Sequence, residues 1–317
     1  MTAQPPNRFH RGEQAIQARL GVREKMAKIG GRVIRDFMPD QHRAFFENQA
    51  LLYVGALDGA GFPRASLLAG RPGFVRSPDP QTLHINSRLT AHDPLAPQLR
   101  VGAKLGFLGL EFHSRRRNRV NGTVRGIDAA GVIDVAVDQS FGNCPKYIQT
   151  RLSEFAPRAK PNTKPEAPSS VLTEAMQALL QKADTFFIAS AFHGQNGEAE
   201  DPATVGVDVS HRGGPPGFVQ LLDERRFAFP DYQGNLFFNT LGNLQADPRS
   251  GFLFLDFENG HLLQLIGHSK VVWEESKLRF TRGAERMVTF ELTEAVWLRD
   301  ALPFQFTFTD YSPHLPQ

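Results

Sequence analysis

Two stretches of the chain carry the same pattern. Ser66-Leu67-Leu68-Ala69-Gly70-Arg71-Pro72-Gly73-Phe74-Val75 and Ser210-His211-Arg212-Gly213-Gly214-Pro215-Pro216-Gly217-Phe218-Val219 place Ser, Gly, Pro, Gly, Phe and Val alike, at a constant offset of 144 residues (66 to 210, 74 to 218). Six matches at one offset indicate a tandem duplication. This constrains the chain most: whatever unit it builds, it builds twice. Each copy is too rich in Gly and Pro for a plain core strand, and too apolar at its end for a plain loop.

The rest of the sequence follows that division. Its 317 residues suit two domains of ordinary size, each with its own core. Ile16, Leu20, Met26 and Ile29 lie on one face of a helix expected over 13–34, with Gly30-Gly31 to interrupt or end it. A second short helix is expected over 41–49. Short, β-rich, turn-bounded runs follow at 51–57, 62–68, 82–86, 104–112, 119–126 and 132–137, the first two joined by the hairpin signal Asp58-Gly59-Ala60-Gly61. Residues 156–170 hold Pro157, Pro161, Pro165 and Pro168 with few apolar side chains, the composition of a linker. A helix over 171–183 opens the second half, and strands are expected at 185–191, 205–210, 226–229, 236–239, 251–257, 262–267 and 287–292.

Further landmarks recur in order. Asn86-Ser87 and Asn239-Thr240 each close the expected third main strand, Phe107–Phe112 echoes Phe252–Phe257, and Asp93-Pro94 echoes Asp247-Pro248, at offsets of 145 to 154 residues. The expected class is mainly β with flanking helices (α+β), each half a helix followed by an antiparallel barrel. The divisions expected are an N-terminal helical extension over 1–40, a first barrel over 41–155, a Pro-rich linker over 156–170 and a second barrel over 171–317.

Composition removes several function classes. The single cysteine, Cys144, rules out an internal disulfide framework and fits a reducing compartment. No apolar run reaches the 18–20 or so residues of a membrane span, and residues 1–11 lack the apolar core of a secretory signal. A cytoplasmic protein without membrane partners is the expectation. A net charge of +3 offers no polyanion-binding surface, so nucleic acid is not an expected partner. The dense run Arg115-Arg116-Arg117-Asn118-Arg119 reads first as a solvated turn between strands, and alternatively as a local phosphate contact.

The common chemical motifs are missing: GxGxxG after a strand, GxxxxGK[ST], HExxH, paired CxxC and GxSxG. The ten histidines are scattered, and no metal site is expected. His84 and His211, near the repeated stretches, read as ordinary polar residues first and ligand contacts second. The landmarks carry small polar donors instead: Ser66, Asn86, Ser87 and Arg88 in the first half, and Ser210, Arg212, Asn239, Thr240 and Asn243 in the second. Hydroxyls, amides and guanidinium suit a ligand with phosphate, polyol and an aromatic edge. Equally, these residues fit tight β-turns whose Gly and Pro only shape a corner. Cys144 reads as a small thiol before a turn-fixing Pro; the alternative is a redox thiol near Lys146.

Val207–Val219, followed by Phe229-Pro-Asp-Tyr-Gln-Gly-Asn235, Thr240-Leu-Gly-Asn243 and Leu263–Gly267, resembles the flavin-nucleotide-binding proteins of the pyridoxamine 5′-phosphate oxidase-like superfamily. The first half resembles a more divergent copy, and Ser140–Ile148 resembles the segment joining the copies in tandem members. The resemblance implies two tandem antiparallel split β-barrels forming an internal pseudo-dimer that binds FMN between its halves, with FAD, the deazaflavin F420 or haem as alternatives. It implies an oxidoreductase acting on a small molecule or electron donor, or a non-enzymatic flavin- or haem-binding module, with a homodimer possible. The residues it implies for the cofactor are Arg64, Ser66, Asn86, Ser87 and Arg88 from the first half. From the second it implies Ser210, His211, Arg212, Asn239, Thr240 and Asn243. Members that are oxidases carry Arg or Lys after the third strand for the phosphate; Arg88 occupies that place and Leu241-Gly242 does not, so one composite site centred on Arg88 is expected. No catalytic residue is assigned.

Overall fold

The computed structural model describes residues 7–90, 92–156, 166–194, 202–273 and 282–316. It opens with helices α1 (Arg11–Arg19), α2 (Arg23–Val33) and α3 (Asp40–Glu47). The single helix expected over 13–34 is two. The break falls at Gly21, whose φ of +68° a residue with a Cβ avoids. Gly30-Gly31 instead lies within α2, because a side chain at Gly30 would collide with the Phe9 ring.

The first sheet comprises β1 (Leu51–Leu57), β2 (Pro63–Ala69), β3 (Val75–Arg76), β4 (Thr82–Ile85), β5 (Lys104–Glu111), β6 (Arg116–Ile127) and β7 (Ile133–Gly142). After β8 (Thr150–Phe155) and α4 (Glu174–Lys182) come β9 (Thr185–Phe192), β10 (Gly206–Gly213), β11 (Gln220–Leu221), β12 (Arg226–Tyr232), α5 (Asn239–Ala246), β13 (Arg249–Asp256), β14 (His261–Val272), β15 (Ala284–Leu298) and β16 (Phe304–Asp310). The strand orders are β2-β1-β5-β6-β7-β4-β3 and β10-β9-β13-β14-β15-β12-β11. Each strand of the second sheet is thus the one eight places later in the chain. The leftover pair, β8 and β16, joins into a two-stranded antiparallel ribbon shared by the halves. The protein is mainly β, built of two tandem seven-stranded antiparallel sheets.

Strand alternation explains why β1 and β9 read as unbroken apolar runs. In β1, Leu52, Val54 and Ala56 fill the first barrel, while Leu51 and Tyr53 face the second. In β9, Phe186 and Ile188 fill the second barrel, while Phe187, Ala189 and Ala191 face the first. Both faces are buried, so both sets of positions are apolar. Tyr53 and Phe187 stack across the junction with centroids 3.5 Å apart. Gly55 lets the sheets meet there, since a Cβ on it would lie 2.5 Å from a Val209 methyl.

The N-terminal segment crosses to the second barrel. Phe9 packs edge-on against Phe237 at 5.3 Å. The His10 side chain caps α1 while Glu13 accepts from the His10 amide at 2.9 Å.

Other expectations need correction. Residues 236–239 form no strand: Leu236 and Phe238 have φ of 65° and 63°, which no ladder accepts, and Asn239 begins α5. The counterpart of the β4 end at Asn86-Ser87 is therefore the end of β12, and Asn239-Thr240 belongs to a different element. The helix α5 and the ribbon strands β8 and β16 were not foreseen. Of the linker expected over 156–170, residues 157–165 lie outside the described residues. No helix among the described residues is long and apolar enough to cross a membrane.

Candidate functional site

Register shows which positions are equivalent. Ser66 lies opposite Val54, and Ser210 opposite Ile188, in matching places of β2 and β10. Arg119 and Gln264 likewise pair with Leu108 and Leu253, which pair in turn with Tyr53 and Phe187. In each half a serine on one sheet therefore meets a β6 or β14 side chain from the other sheet. The duplication creates two such junctions, and they differ in chemistry.

At the second half's junction lies a cleft of about 80 Å³, open to solvent. β6 brings Arg117 and Arg119, β10 brings Ser210, His211 and Arg212, and α5 brings Asn239 and Thr240; Asn143, Cys144, Asp231 and Tyr232 complete the wall. Arg119, only 2 % exposed, pairs with Asp208 at 3.0 Å and donates to the Val209 carbonyl at 2.9 Å and to Ser210 Oγ. Thr240 Oγ1 donates to the same Ser210 hydroxyl at 3.0 Å. Arg117 Nε donates to the Cys144 carbonyl at 2.6 Å, and its Nη1 to His211 Nδ1 at 3.0 Å.

The charge balance favours an anion. Arg119 has Asp208, and Asp231 is shared between Arg286, at 2.8 Å, and Arg212, at 3.8 Å. Among the described residues Arg117 has no carboxylate within ion-pair distance. Burial pushes its guanidinium down to about 10, and the positive charges of Arg212 and Arg119 act in the same direction. Burial, and then Arg117 itself, holds His211 well below its ordinary value. That imidazole is neutral at physiological pH. With Nδ1 accepting from Arg117, its proton is on Nε2. His211 Nε2, Arg119 Nε, Arg212 Nε and Asn143 Nδ2 are all buried without a partner. Every one of these orphaned groups is a donor, packed behind the lining of the cleft. Two residues of the lining, Leu236 and Phe238, hold left-handed backbone, the kind of strain that concentrates at binding sites.

The equivalent junction of the first half is filled from within. Leu67 and Leu68 stand where His211 and Arg212 stand, and Arg64 replaces Asp208. Buried Asp93 accepts from Ser66 Oγ and, at 2.9 Å, from Gln264 Nε2. Burial pushes this carboxyl up. An internal acceptor thus occupies the position that a ligand acceptor could take in the other half. The Asp93/Asp247 echo has no such meaning, because Asp247 holds Arg249 at 2.6 Å and His193 at 3.0 Å.

The expected site residues are therefore distributed unevenly. Ser210, His211, Arg212, Asn239 and Thr240 line the cleft together. Asn243 lies beneath it, fully buried, bonding Asp208 at 3.0 Å, Ser190 at 3.1 Å and His10 at 2.7 Å. Asn239 also donates to Glu13, which ties α5 to α1. Ser66 is sealed against Asp93. Arg64 binds Asp58 at 2.8 Å and Glu294 at 2.7 Å. Asn86 and Arg88 are exposed, and Ser87 donates to the Ala69 carbonyl at 2.8 Å. The structure does not bring these five to the cleft. His84 lies half-exposed, 3.6 Å from Asp134. Cys144 borders the cleft, while Lys146 points to Gln233 at 3.4 Å.

The first half's contribution comes instead from the basic run expected to be a solvated turn. Only Arg115 is in a turn conformation, with φ of 55°. Arg117 and Arg119 sit two apart on β6 and so share a face, the one turned to the second barrel. That i, i+2 spacing was the available signal.

Residues 172–300 match the family model described as pyridoxamine 5'-phosphate oxidase. No curated protein sequence matches the chain. Similar solved structures include HupZ of Group A Streptococcus, at 12% identity and a TM-score of 0.31, covering 41% of this chain and 96% of that one. Another is a protein related to general stress protein 26 (pyridoxinephosphate oxidase family) from Clostridium acetobutylicum, at 10% identity and a TM-score of 0.27, covering 42% and 92%. A nimC/nimA family protein from the same organism has 9% identity and a TM-score of 0.26, covering 44% and 92%.

Proposed function

We propose that the inter-barrel cleft binds FMN, a reading supported by the match of residues 172–300 to the pyridoxamine 5'-phosphate oxidase family model. The carrying observation is the cationic lining: three arginines drawn from both halves, of which Arg117 has no carboxylate within ion-pair distance among the described residues. Such a wall suits a phosphate and the carbonyl edge of a flavin ring. Arg117, Arg119 and Arg212 hold the anionic end, and Ser210, Thr240, Asn239 and Asn143 serve the polyol and ring. The protein is one cytoplasmic chain with a single flavin site, since the matching junction is closed by Asp93.

Bound flavin supplies hydride or electron transfer. The side chains around it supply binding and orientation. None is a free general base: Arg117 occupies His211 Nδ1, Arg286 and Arg212 flank Asp231, and Arg119, Asn121 and Asn243 hold Asp208. This favours a flavin-dependent oxidoreductase whose small-molecule partner reacts directly with the cofactor.

The test is a fluorescence titration with FMN and riboflavin. Arg117→Met should weaken FMN by about 10- to 100-fold, the value of a charge-assisted phosphate contact, and leave riboflavin nearly unchanged. Arg88→Met should alter neither. Loss of FMN binding in Arg88→Met with retention in Arg117→Met would overturn the assignment.

A further inference from the structure

The polar network beneath the flavin cleft starts outside both barrels, in the N-terminal segment. None of His10, Glu13, Asp208 and Asn243 lines the cleft, yet they hold residues that do. His10 is 5 % exposed, and its ring stacks on Phe192 with centroids 3.9 Å apart. Its Nδ1 accepts from the Gly12 amide at 3.1 Å. Burial holds the imidazole well below its ordinary value, so it is neutral at physiological pH and carries its proton on Nε2. That N–H donates to Asn243 Oδ1, 2.7 Å away.

This one bond decides which way the Asn243 amide faces. With its oxygen turned to His10, its Nδ2 donates to Asp208 Oδ2 at 3.0 Å and to Ser190 Oγ at 3.1 Å. Asp208 Oδ1 in turn accepts from Asn121 at 2.7 Å and from Arg119 Nη1 at 3.0 Å. Arg119 Nη2 donates to Ser210 Oγ and to the Val209 carbonyl. Without the His10 donor the amide is free to turn round, and its oxygen would then face the Asp208 carboxylate. Asp208 would draw harder on Arg119 and leave less of its charge for a ligand. A second tie is steric. A Cβ on Gly12 would lie 2.1 Å from the Gly242 carbonyl oxygen, so α1 and α5 meet backbone to backbone, and α5 carries Asn239 and Thr240 of the cleft wall. The closed junction lacks this relay, since Arg64 stands there in the place of Asp208.

Resting on the reading of the cleft as the FMN site, we propose that the N-terminal segment is a working part of it. His10 is the positioning residue that sets Arg119, through Asn243 and Asp208, for the ligand's anionic group.

His10→Phe keeps an aromatic ring against Phe192 and removes the N–H; His10→Gln returns an N–H donor. His10→Phe should weaken FMN by about three- to tenfold, the range of one lost hydrogen bond. It should leave riboflavin unchanged, since only the phosphate answers to Arg119. His10→Gln should restore most of the FMN affinity. In an Asp208→Asn background, where the amide is tolerated either way round, His10→Phe should have no further effect. A readout without ligand separates the relay from the cofactor. The Arg119 Nε–H is buried and gives an NMR signal assigned by its loss in Arg119→Lys. His10→Phe should shift that signal in the ligand-free protein, and His10→Gln should return it. A shifted signal in a protein that binds no FMN would support the relay and sink the flavin reading alone. The relay is overturned by an unshifted signal, by equal weakening of FMN and riboflavin, by no rescue in His10→Gln, or by equal losses with and without Asp208→Asn.

Discussion

Replacing Arg119 by Met tests the junction most directly. The change keeps the length and the packing against Phe141, whose ring lies 5.3 Å from the guanidinium, and removes the charge. The Arg119–Asp208 separation is 3.0 Å, with side-chain exposures of 2% and 14%. At an effective dielectric near 20 that distance corresponds to a gross attraction of about 5.5 kcal/mol. After the change Asp208 keeps two amide donors, Asn121 at 2.7 Å and Asn243 at 3.0 Å, but it has no counter-charge. The expected loss of unfolding free energy is about 3–5 kcal/mol, the usual result of stranding one member of a buried pair. Asp208→Asn in the Arg119→Met background removes the stranded charge and should recover much of that loss. Urea unfolding of wild type, both single variants and the double variant closes a cycle. A loss below about 1 kcal/mol for Arg119→Met, or a double variant equal to the sum of the singles, would refute the reasoning.

Other consequences concern the N-terminal helix and the cleft. His10 is held by burial at about 4, against pulls upward from Asn243 and Asp208 and downward from Arg11, and Glu13 lies 3.5 Å away. Since its folded pKa lies below the unfolded value, its contribution is complete above pH 6.5 and is lost as pH falls towards 4. The loss should approach about 3 kcal/mol. His10→Gln should lack that component when stability is measured by urea midpoints across the window. Glu13 is raised well above the ordinary carboxyl value, first by burial and then by Asp208. Its contribution is largest at acid pH and fades as pH rises, so Glu13→Gln should be better tolerated at pH 8 than at pH 5 when melting temperatures are compared. Gly242→Ala would place a Cβ 2.7 Å from Glu13 Cα. Although Ala favours helices, this variant should lose about 1–3 kcal/mol and free the N-terminal segment to protease. Finally, the His211 imidazole should show no titration between pH 5.5 and 8 by NMR; a transition near 6.5 would contradict its burial against Arg117.

Much of the fold is legible in local pattern. Short β-rich runs, the Asp58–Gly61 hairpin and the repeated Ser-to-Val stretch place most strands of both barrels, because alternation and turn chemistry act over a few residues. The failures have identifiable causes. The run 236–239 looks β-rich, yet left-handed backbone at Leu236 and Phe238 ends the strand and starts α5. Gly30-Gly31 looks like a breaker, yet packing against Phe9 keeps it helical. The site divides in the same way. Ser210, His211 and Arg212 were visible because they sit inside the repeat. Arg117 and Arg119 were passed over because an arginine-rich run is usually solvated, and nothing nearby in sequence reveals that Asp208, 89 residues beyond Arg119, waits across the junction.

The amino-acid sequence by itself therefore determined that the unit is doubled, that each copy is an antiparallel barrel, and that the second copy carries the richer polar stretch. These follow from interactions between near neighbours, which the order of residues encodes directly. Only the tertiary structure decided that one of the two equivalent junctions is open and the other closed. That difference depends on which β6 or β14 side chain meets which serine across a sheet-to-sheet contact: Arg119 with Ser210 and Asp208 in one case, Gln264 with Ser66 and Asp93 in the other. A one-residue slip would turn those side chains to the opposite face, so their meeting is set by the register and packing of the whole molecule.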